Sequence, residues 1–273
     1  MSTNLIKRIQ NFKVKDVLEV SSPVNYQIKS SDPVIVAAPF LTVFDVDVVF
    51  VTKEESVHGF IGGYILLEII KQSGKNAWSA LYKTPSENVD WKLLTTRLNE
   101  ELDILLRKMM ATGYGHALVL DKDKLVSPIG LLDIAKFFLY SGITDNLEDI
   151  TIGQLGSSPI VSVPPEATIL QAISTMIEKR VRRLLVKDRI LSDRSLVKAL
   201  VTYPWLSKLR DSTEETLNSP INTLPITVFH KPGRASLNES LSKGLGLLLE
   251  AEAKCLLVNG QIVTPMGPSH KAP

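Results

Sequence analysis

Four Ser/Thr-Pro steps punctuate the chain: Ser21-Ser22-Pro23, Thr84-Pro85, Ser157-Ser158-Pro159 and Ser219-Pro220. Their prolines are spaced 62, 74 and 61 residues apart, and each opens onto an apolar or extended run. A period of this length constrains a fold more than any single motif, because each repeat is one supersecondary unit that must bury its apolar face against another. Two near-equal intervals around a longer one describe a duplicated duplication, with repeats at about 13–72, 84–141, 149–210 and 213–267. The 273 residues suffice for two domains. The expected division is a first pair at 1–142 and a second at 143–273, with the boundary in the polar stretch Ser141 to Asn146.

Within each repeat the pattern is strand, helix, strand, turn, strand, helix, which makes the fold class α/β. The third repeat is the clearest. Ile160 to Val163 reads as a strand, Pro164-Pro165 as a turn, and Thr168 starts a helix with Ile169, Ala172, Ile173, Met176 and Ile177 on one face. Leu184 to Val186 reads as the next strand, Lys187-Asp188 as a turn, Leu196 to Val201 as a strand and Trp205 to Leu209 as a short closing helix. The second repeat gives a helix at Glu100 to Met110, strands at Ala117 to Leu120 and Leu125-Val126 around the turn Asp121 to Lys124, and a helix at Leu131 to Tyr140. In the fourth, Ser236 to Glu239 reads as a capping box, and Asn259-Gly260 joins Leu256–Val258 to Gln261–Thr264 as a hairpin. The first is the most degenerate, because Pro39 interrupts its helix, yet Val48 to Val51 and Phe60-Ile61 supply strands.

Composition narrows the function. Lys plus Arg (31) against Asp plus Glu (29) leaves a net charge of +2, too balanced for a chain built to neutralise a phosphate backbone. The lone Cys255 forms no intrachain disulfide, and the first 20 residues interleave charges where a signal peptide needs an apolar core, so a reducing cytoplasm is expected. Val34 to Phe44 is broken by Pro39 and Thr42 and closed by Asp45 and Asp47, so no membrane span is expected. His58, His116, His230 and His270 show no metal-ligand spacing, and neither a metal site nor a catalytic constellation emerges. Gly62-Gly63 and Gly244-Leu-Gly246 fit neither GxxxxGK[ST] nor GxGxxG and read as loop or close-packing glycines.

The paired repeats, and above all the stretch Asp149 to Asp188, resemble the CBS domain, which pairs into the Bateman module. Four such repeats in one chain are similar to the γ subunit of AMP-activated protein kinase and to stand-alone archaeal four-CBS proteins. The resemblance implies two Bateman modules of β-α-β-β-α repeats and a non-catalytic regulatory protein. Adenine nucleotides (AMP before ADP or ATP) would bind in clefts between repeats, with no other cofactor.

The family motif Gly-apolar-apolar-Thr/Ser-x-x-Asp supplies an Asp to the ribose diol and a hydroxyl near the phosphate, as carboxylate and helix-start chemistry allow. Carried over, it falls on Ser127-Pro-Ile-Gly130-Leu-Leu-Asp133, with Asp133 the ribose candidate beside Ser127 and Gly130. It also falls on Ala199-Leu-Val-Thr202-Tyr-Pro-Trp205, on Gln261-Ile-Val-Thr264-Pro-Met-Gly267 and on Gly59-Phe-Ile-Gly62-Gly-Tyr-Ile65. Thr202 and Thr264 keep the hydroxyl without the Asp, and no repeat carries the whole motif. Trp205, at the family's Asp position, is a stacking candidate, while Trp78 and Trp91 read as core or interface anchors.

Lys179, Arg180, Arg182 and Arg183 form a basic cluster in which Arg182 and Arg183 are phosphate candidates, against the alternative of a solvated helix end. Lys231-Pro-Gly-Arg234 is a weaker anion candidate. With no room for an effector domain at 1–12 or 265–273, output is expected through an effector protein in trans or through self-association as a homodimer. Two other readings stay open: an interaction scaffold with decayed nucleotide sites, and a weak nucleic-acid binder using the basic cluster with Lys7, Arg8, Lys13 and Lys15.

Overall fold

A computed structural model describes residues 9–21, 23–54, 56–89, 93–122, 124–143, 148–155 and 157–264. The expectations placed on Lys7, Arg8, Trp91, Asp123, Asn146, Gly267 and His270 lie outside the described residues.

The first repeat runs α1 (Val14–Ser21), β1 (Gln27–Lys29), α2 (Ala37–Thr42), β2 (Val48–Lys53), β3 (Ser56–Gly62) and α3 (Gly63–Ser73). After α4 (Ala77–Lys83), the second runs β4 (Thr95–Arg97), α5 (Leu102–Thr112), β5 (His116–Asp121), β6 (Lys124–Gly130) and α6 (Leu131–Tyr140). The third runs β7 (Ser158–Pro159), α7 (Ile169–Glu178), β8 (Arg183–Val186), β9 (Arg189–Ser192) and α8 (Asp193–Val201). Helices α9 (Trp205–Asp211) and α10 (Thr213–Asn218) lead to the fourth: β10 (Phe229–His230), β11 (Gly233–Arg234), α11 (Leu241–Glu250), β12 (Leu256–Val258) and β13 (Gln261–Val263).

Local chemistry explains the elements that sequence foretold. Thr168 caps α7 by accepting from the Gln171 N–H at 3.1 Å, and Gln171 accepts in return from the Thr168 N–H at 2.8 Å. The face Ile169, Ala172, Ile173 and Met176 is fully buried. Asn259 and Gly260 both take positive φ, 48° and 75°, as a two-residue hairpin requires.

The repeats agree in backbone more closely than in side chains. In the first two, a parallel strand, β1 or β4, flanks an antiparallel hairpin, β2–β3 or β5–β6. The hairpins carry a register shift at corresponding places, Val51/Thr52 and Val119/Leu120. All four repeats place a left-handed residue two or three positions before the hairpin, at Asp45, Gly113, Arg180 and Lys254. A second stands at its tip, at Glu54, Lys122, Lys187 and Asn259.

Two expectations are corrected here. Leu196 to Val201 is not a strand but the end of α8, and the second hairpin strand is the short β9, immediately after the Lys187-Asp188 turn. Leu196, Val197, Ala199 and Leu200 are all buried, so the run that looked β-like is the core face of a helix capped by Ser192. In the fourth repeat, Glu239 does accept from the Ser236 N–H at 3.3 Å, but within a turn, and the helix starts later with Ser240 as its cap.

The described chain packs as two compact units that take alternate repeats. One comprises residues 1–24, 94–160 and 231–273, and the other 25–93 and 161–230. The first unit therefore holds the bulk of the second and fourth repeats, with Leu105, Met109, Phe137 and Phe138 in one core with Leu241 and Leu245. The second unit holds the first and third, with Ile65, Leu66 and Ile70 in one core with Ile173, Leu196 and Leu200. These units are not the sequential halves 1–142 and 143–273, because α3 packs on α7 and α8, and α6 on α11.

Sequence neighbours are tied differently, by exchanged leads. Strand β7, which opens the third repeat, completes the fourth repeat's sheet against β13. Strand β10, which opens the fourth, completes the third repeat's sheet against β9.

Candidate functional site

Each hairpin in the first three repeats runs straight into a helix, and the junction of the second repeat gathers three of the expected site residues, Ser127, Gly130 and Asp133. In the unit of the second and fourth repeats, β6 ends at Gly130 and α6 begins, placing Asp133 in the first helical turn. The Gly130 N–H donates to Asp133 Oδ2 at 2.8 Å, so the carboxylate caps the helix and is fixed in direction. Ser127 is buried, and its hydroxyl approaches the Pro23 carbonyl at 3.5 Å, which lays the first repeat's lead beside this junction. Gly130 is tightly enclosed: a Cβ there would stand 2.9 Å from His116 Cδ2, 3.1 Å from His116 Nε2 and 3.4 Å from Asp133 Oδ2. Where the family motif has a hydroxyl, this junction has a glycine whose space is taken by a histidine from the neighbouring strand. Sequence reading overlooked His116 because it sought metal spacing. The signal was its cross-strand pairing with Gly130, which a correct hairpin register supplies.

The junctions of the other unit differ. At Gly62 the third helical position is Ile65, which is buried and has no carboxylate. At Ser192 the third position is Ser195, and the two serines satisfy each other: the Ser195 N–H donates to Ser192 Oγ at 3.1 Å and the hydroxyls bond directly. The third-repeat motif is thus Arg189-Ile-Leu-Ser192-Asp-Arg-Ser195. Thr202, assigned the hydroxyl role, lies exposed at the far end of α8, and Trp205 is a buried residue of α9 with Lys208 Nζ 4.5 Å above its ring. Both were misplaced by the misread strand. Thr264 lies just beyond β13, which ends at Val263, so the expected strand through Thr264 stops one residue short.

Arg182 is half-buried and donates through Nε to Asp193 Oδ2 at 2.7 Å. Burial works against its charge, but the Asp193 and Asp47 carboxylates and the Asp193 hydrogen bond hold the guanidinium above its ordinary value. Arg183 opens β8 opposite Ser192. A surface depression of about 570 Å³, lined by Lys75, Arg210, Asp211 and Ser212 through Glu215, includes none of the expected residues. Among the described residues no three His, Cys, Asp or Glu side chains gather as a metal-binding set, and no helix is long and apolar enough to cross a membrane.

Residues 152–202 match the family model of the CBS domain. The third repeat is a CBS domain. The tandem CBS fold extends over the chain: the structure is similar to that of MJ1225 from Methanocaldococcus jannaschii, a candidate archaeal homolog of γ-AMPK, with a TM-score of 0.72 and 16% identity over 96% of this chain and 97% of that one. It is also similar to an uncharacterized conserved protein from Pyrococcus horikoshii, with a TM-score of 0.52 and 15% identity over 93% and 97% of the two chains. No curated protein matches the sequence. The CBS match covers Ser192 and Ser195, so it spans the junction that sequence reading placed too late.

Proposed function

We propose that this protein is a non-catalytic ligand sensor that binds an adenine nucleotide, AMP before ADP or ATP, at the β6–α6 junction and passes its occupancy to an effector protein in trans. The observation that carries this reading is Asp133: a carboxylate held by the Gly130 N–H in the first turn of α6, with the Pro23 lead alongside. A carboxylate so placed can accept from a vicinal diol, and the adjoining helix N-terminus favours an anion. The tandem CBS fold and its likeness to a candidate γ-AMPK homolog add support. Sensing would require the ligand to bind one conformation more tightly than another, since only differential affinity shifts an equilibrium.

The scaffold reading keeps one observation in its favour: Ile65 and Ser195 stand where two other junctions would need a carboxylate. The nucleic-acid reading loses Arg182, which is engaged by Asp193.

Calorimetric titration of nucleotide-stripped protein with AMP, ADP and ATP separates the readings. Saturable binding that Asp133→Ala weakens about tenfold, or 1.4 kcal/mol, supports the sensor. Asp133→Asn, which keeps a cap acceptor but loses the charge, should weaken it comparably. No heat from any nucleotide, and none co-purifying, leaves the scaffold.

A further inference from the structure

The run Pro33 to Phe44 carries no charged residue, and the structure turns one side of it to solvent. Its backbone is helical from the short turn Val34–Val36 through α2 to Val43. Ala37, Ala38, Leu41 and Thr42 form the buried side, and α2 packs against α8 and β2. The opposite side is apolar too: Val43 is 74% exposed, Phe44 55% and Val36 37%, with Phe40 half-buried among them. These four stand at i, i+4, i+7 and i+8, which makes one stripe. Tyr26, just ahead of β1, steadies its aromatic end. The Tyr26 ring centroid lies 5.1 Å from both Phe40 and Phe44, and those two are 6.0 Å apart. Exposed rings held by neighbours lose little freedom when something binds them.

The third repeat shows that this face need not be apolar. Aligned on the left-handed residues Asp45 and Arg180, the stripe falls there on Gln171, Thr175, Glu178 and Lys179, while buried Leu41 falls on buried Met176. The fold accepts a polar face at these positions, so the packing of the unit itself does not call for Val36, Phe40, Val43 and Phe44.

Area and charge select what covers the stripe. Its exposed surface, on the order of a few hundred Å², is the scale at which an apolar patch marks an interaction site. That falls well short of the roughly 800 Å² that each member of a standard dimer buries, and it matches the anchor face of one amphipathic helix. At the end of the stripe, Asp45, with an 82% exposed side chain, and Asp47 share the one Arg194 guanidinium at 3.2 and 3.3 Å. Two carboxylates against one guanidinium leave a negative charge, which a basic residue complements and an acidic one opposes.

We infer that the Val36–Phe44 stripe is the docking surface for an amphipathic helix of a partner protein, with apolar anchors on Phe40, Val43 and Phe44 and a Lys or Arg facing Asp45. The inference goes beyond nucleotide sensing and does not depend on binding at Asp133.

Fluorescence anisotropy on the nucleotide-stripped full chain tests it, so that a failure of nucleotide sensing leaves the result standing. The probes are two labelled helical peptides of about 18 residues that share Leu at i, i+3, i+4 and i+7 and differ in carrying Lys or Glu beside them. The Lys peptide should saturate, bind at least about tenfold more tightly than the Glu peptide at about 0.05 M salt, and lose much of that advantage at about 0.5 M. It should also shift the backbone amide NMR signals of Val36, Val43 and Phe44. Val43→Ser/Phe44→Ser should weaken it at least about tenfold, and Val43→Ser alone, the more exposed site, should act in the same direction if the double variant fails to fold. Asp45→Asn, which tolerates the left-handed backbone there, should narrow the gap between the peptides. Equal binding of the two peptides, no saturable binding, or binding unchanged in a folded variant would overturn the inference. So would a dimer in sedimentation equilibrium that the double variant dissolves, or flotation with phosphatidylcholine vesicles that it abolishes, because a second copy or a lipid surface would then be the occupant.

Discussion

Gly63 and Gly246 are both helical glycines, and space alone distinguishes them. A Cβ at Gly63 meets backbone of the facing helix at 2.9 Å, whereas one at Gly246 meets nothing within 4 Å. Gly63→Ala is therefore expected to destabilise by about 1–3 kcal/mol, as overpacking does, and Gly246→Ala to stabilise by up to about 1 kcal/mol, through helix propensity. Urea unfolding of the two variants checks both signs, and a neutral Gly63→Ala would contradict the close approach. Sequence reading took these glycines as loop or packing residues, which suits Gly63 and also Gly244, whose Cβ would stand 2.5 Å from Ile152. It could not tell Gly63 from Gly246, because clearance depends on a segment more than a hundred residues away.

Among the elements, capping decided what period alone left ambiguous. The run Leu196 to Val201 has the β-branched and aliphatic content of a strand, and Ser192, four residues upstream, marks it as a helix. Ser192→Ala should cost about 1 kcal/mol, as cap removal does, and Thr168→Ala at α7 a similar amount. Chemical denaturation measures both.

Helix α5 carries a pH-dependent contact. Burial pushes the Glu100 carboxyl up, but hydrogen bonds from Lys108 and Thr96, and the Lys108 charge, outweigh it and hold the group below its ordinary value. With the folded value depressed, the stability Glu100 contributes is complete above the ordinary carboxylate range and is lost as pH falls through that range toward the folded value. The gap in unfolding free energy between the unsubstituted protein and Glu100→Gln should thus narrow from about pH 7 to about pH 3. A constant gap would refute this assignment.

For the molecule as a whole, the alternation of repeats between units matters most. The fragment 1–142 has Leu105, Phe137 and Ile65 without the partners Leu241, Leu245, Leu196 and Leu200 that complete their cores. Expressed alone it should aggregate or self-associate, and co-expressed with 143–273 the two should co-purify as one complex. Independent, monomeric folding of each fragment, seen by size-exclusion chromatography and circular dichroism, would contradict the interleaved cores.

The α/β class, four repeats and most hairpins were legible in the sequence because they rest on local physics: periodicity, Pro-led starts, Asn-Gly at a tight turn and the Thr168 cap. Asp133 was legible for the same reason, since strand end, helix start and acid lie within four residues. What stayed hidden depends on contacts between distant residues. Arg182 could be read as a free cation until Asp193 and Asp47 were placed beside it, and His116 as a scattered histidine until β5 and β6 set it against Gly130. The pairing of first with third and second with fourth repeats was likewise beyond sequence, because four similar apolar helix faces satisfy the same pattern and only their packing in space selects the partners.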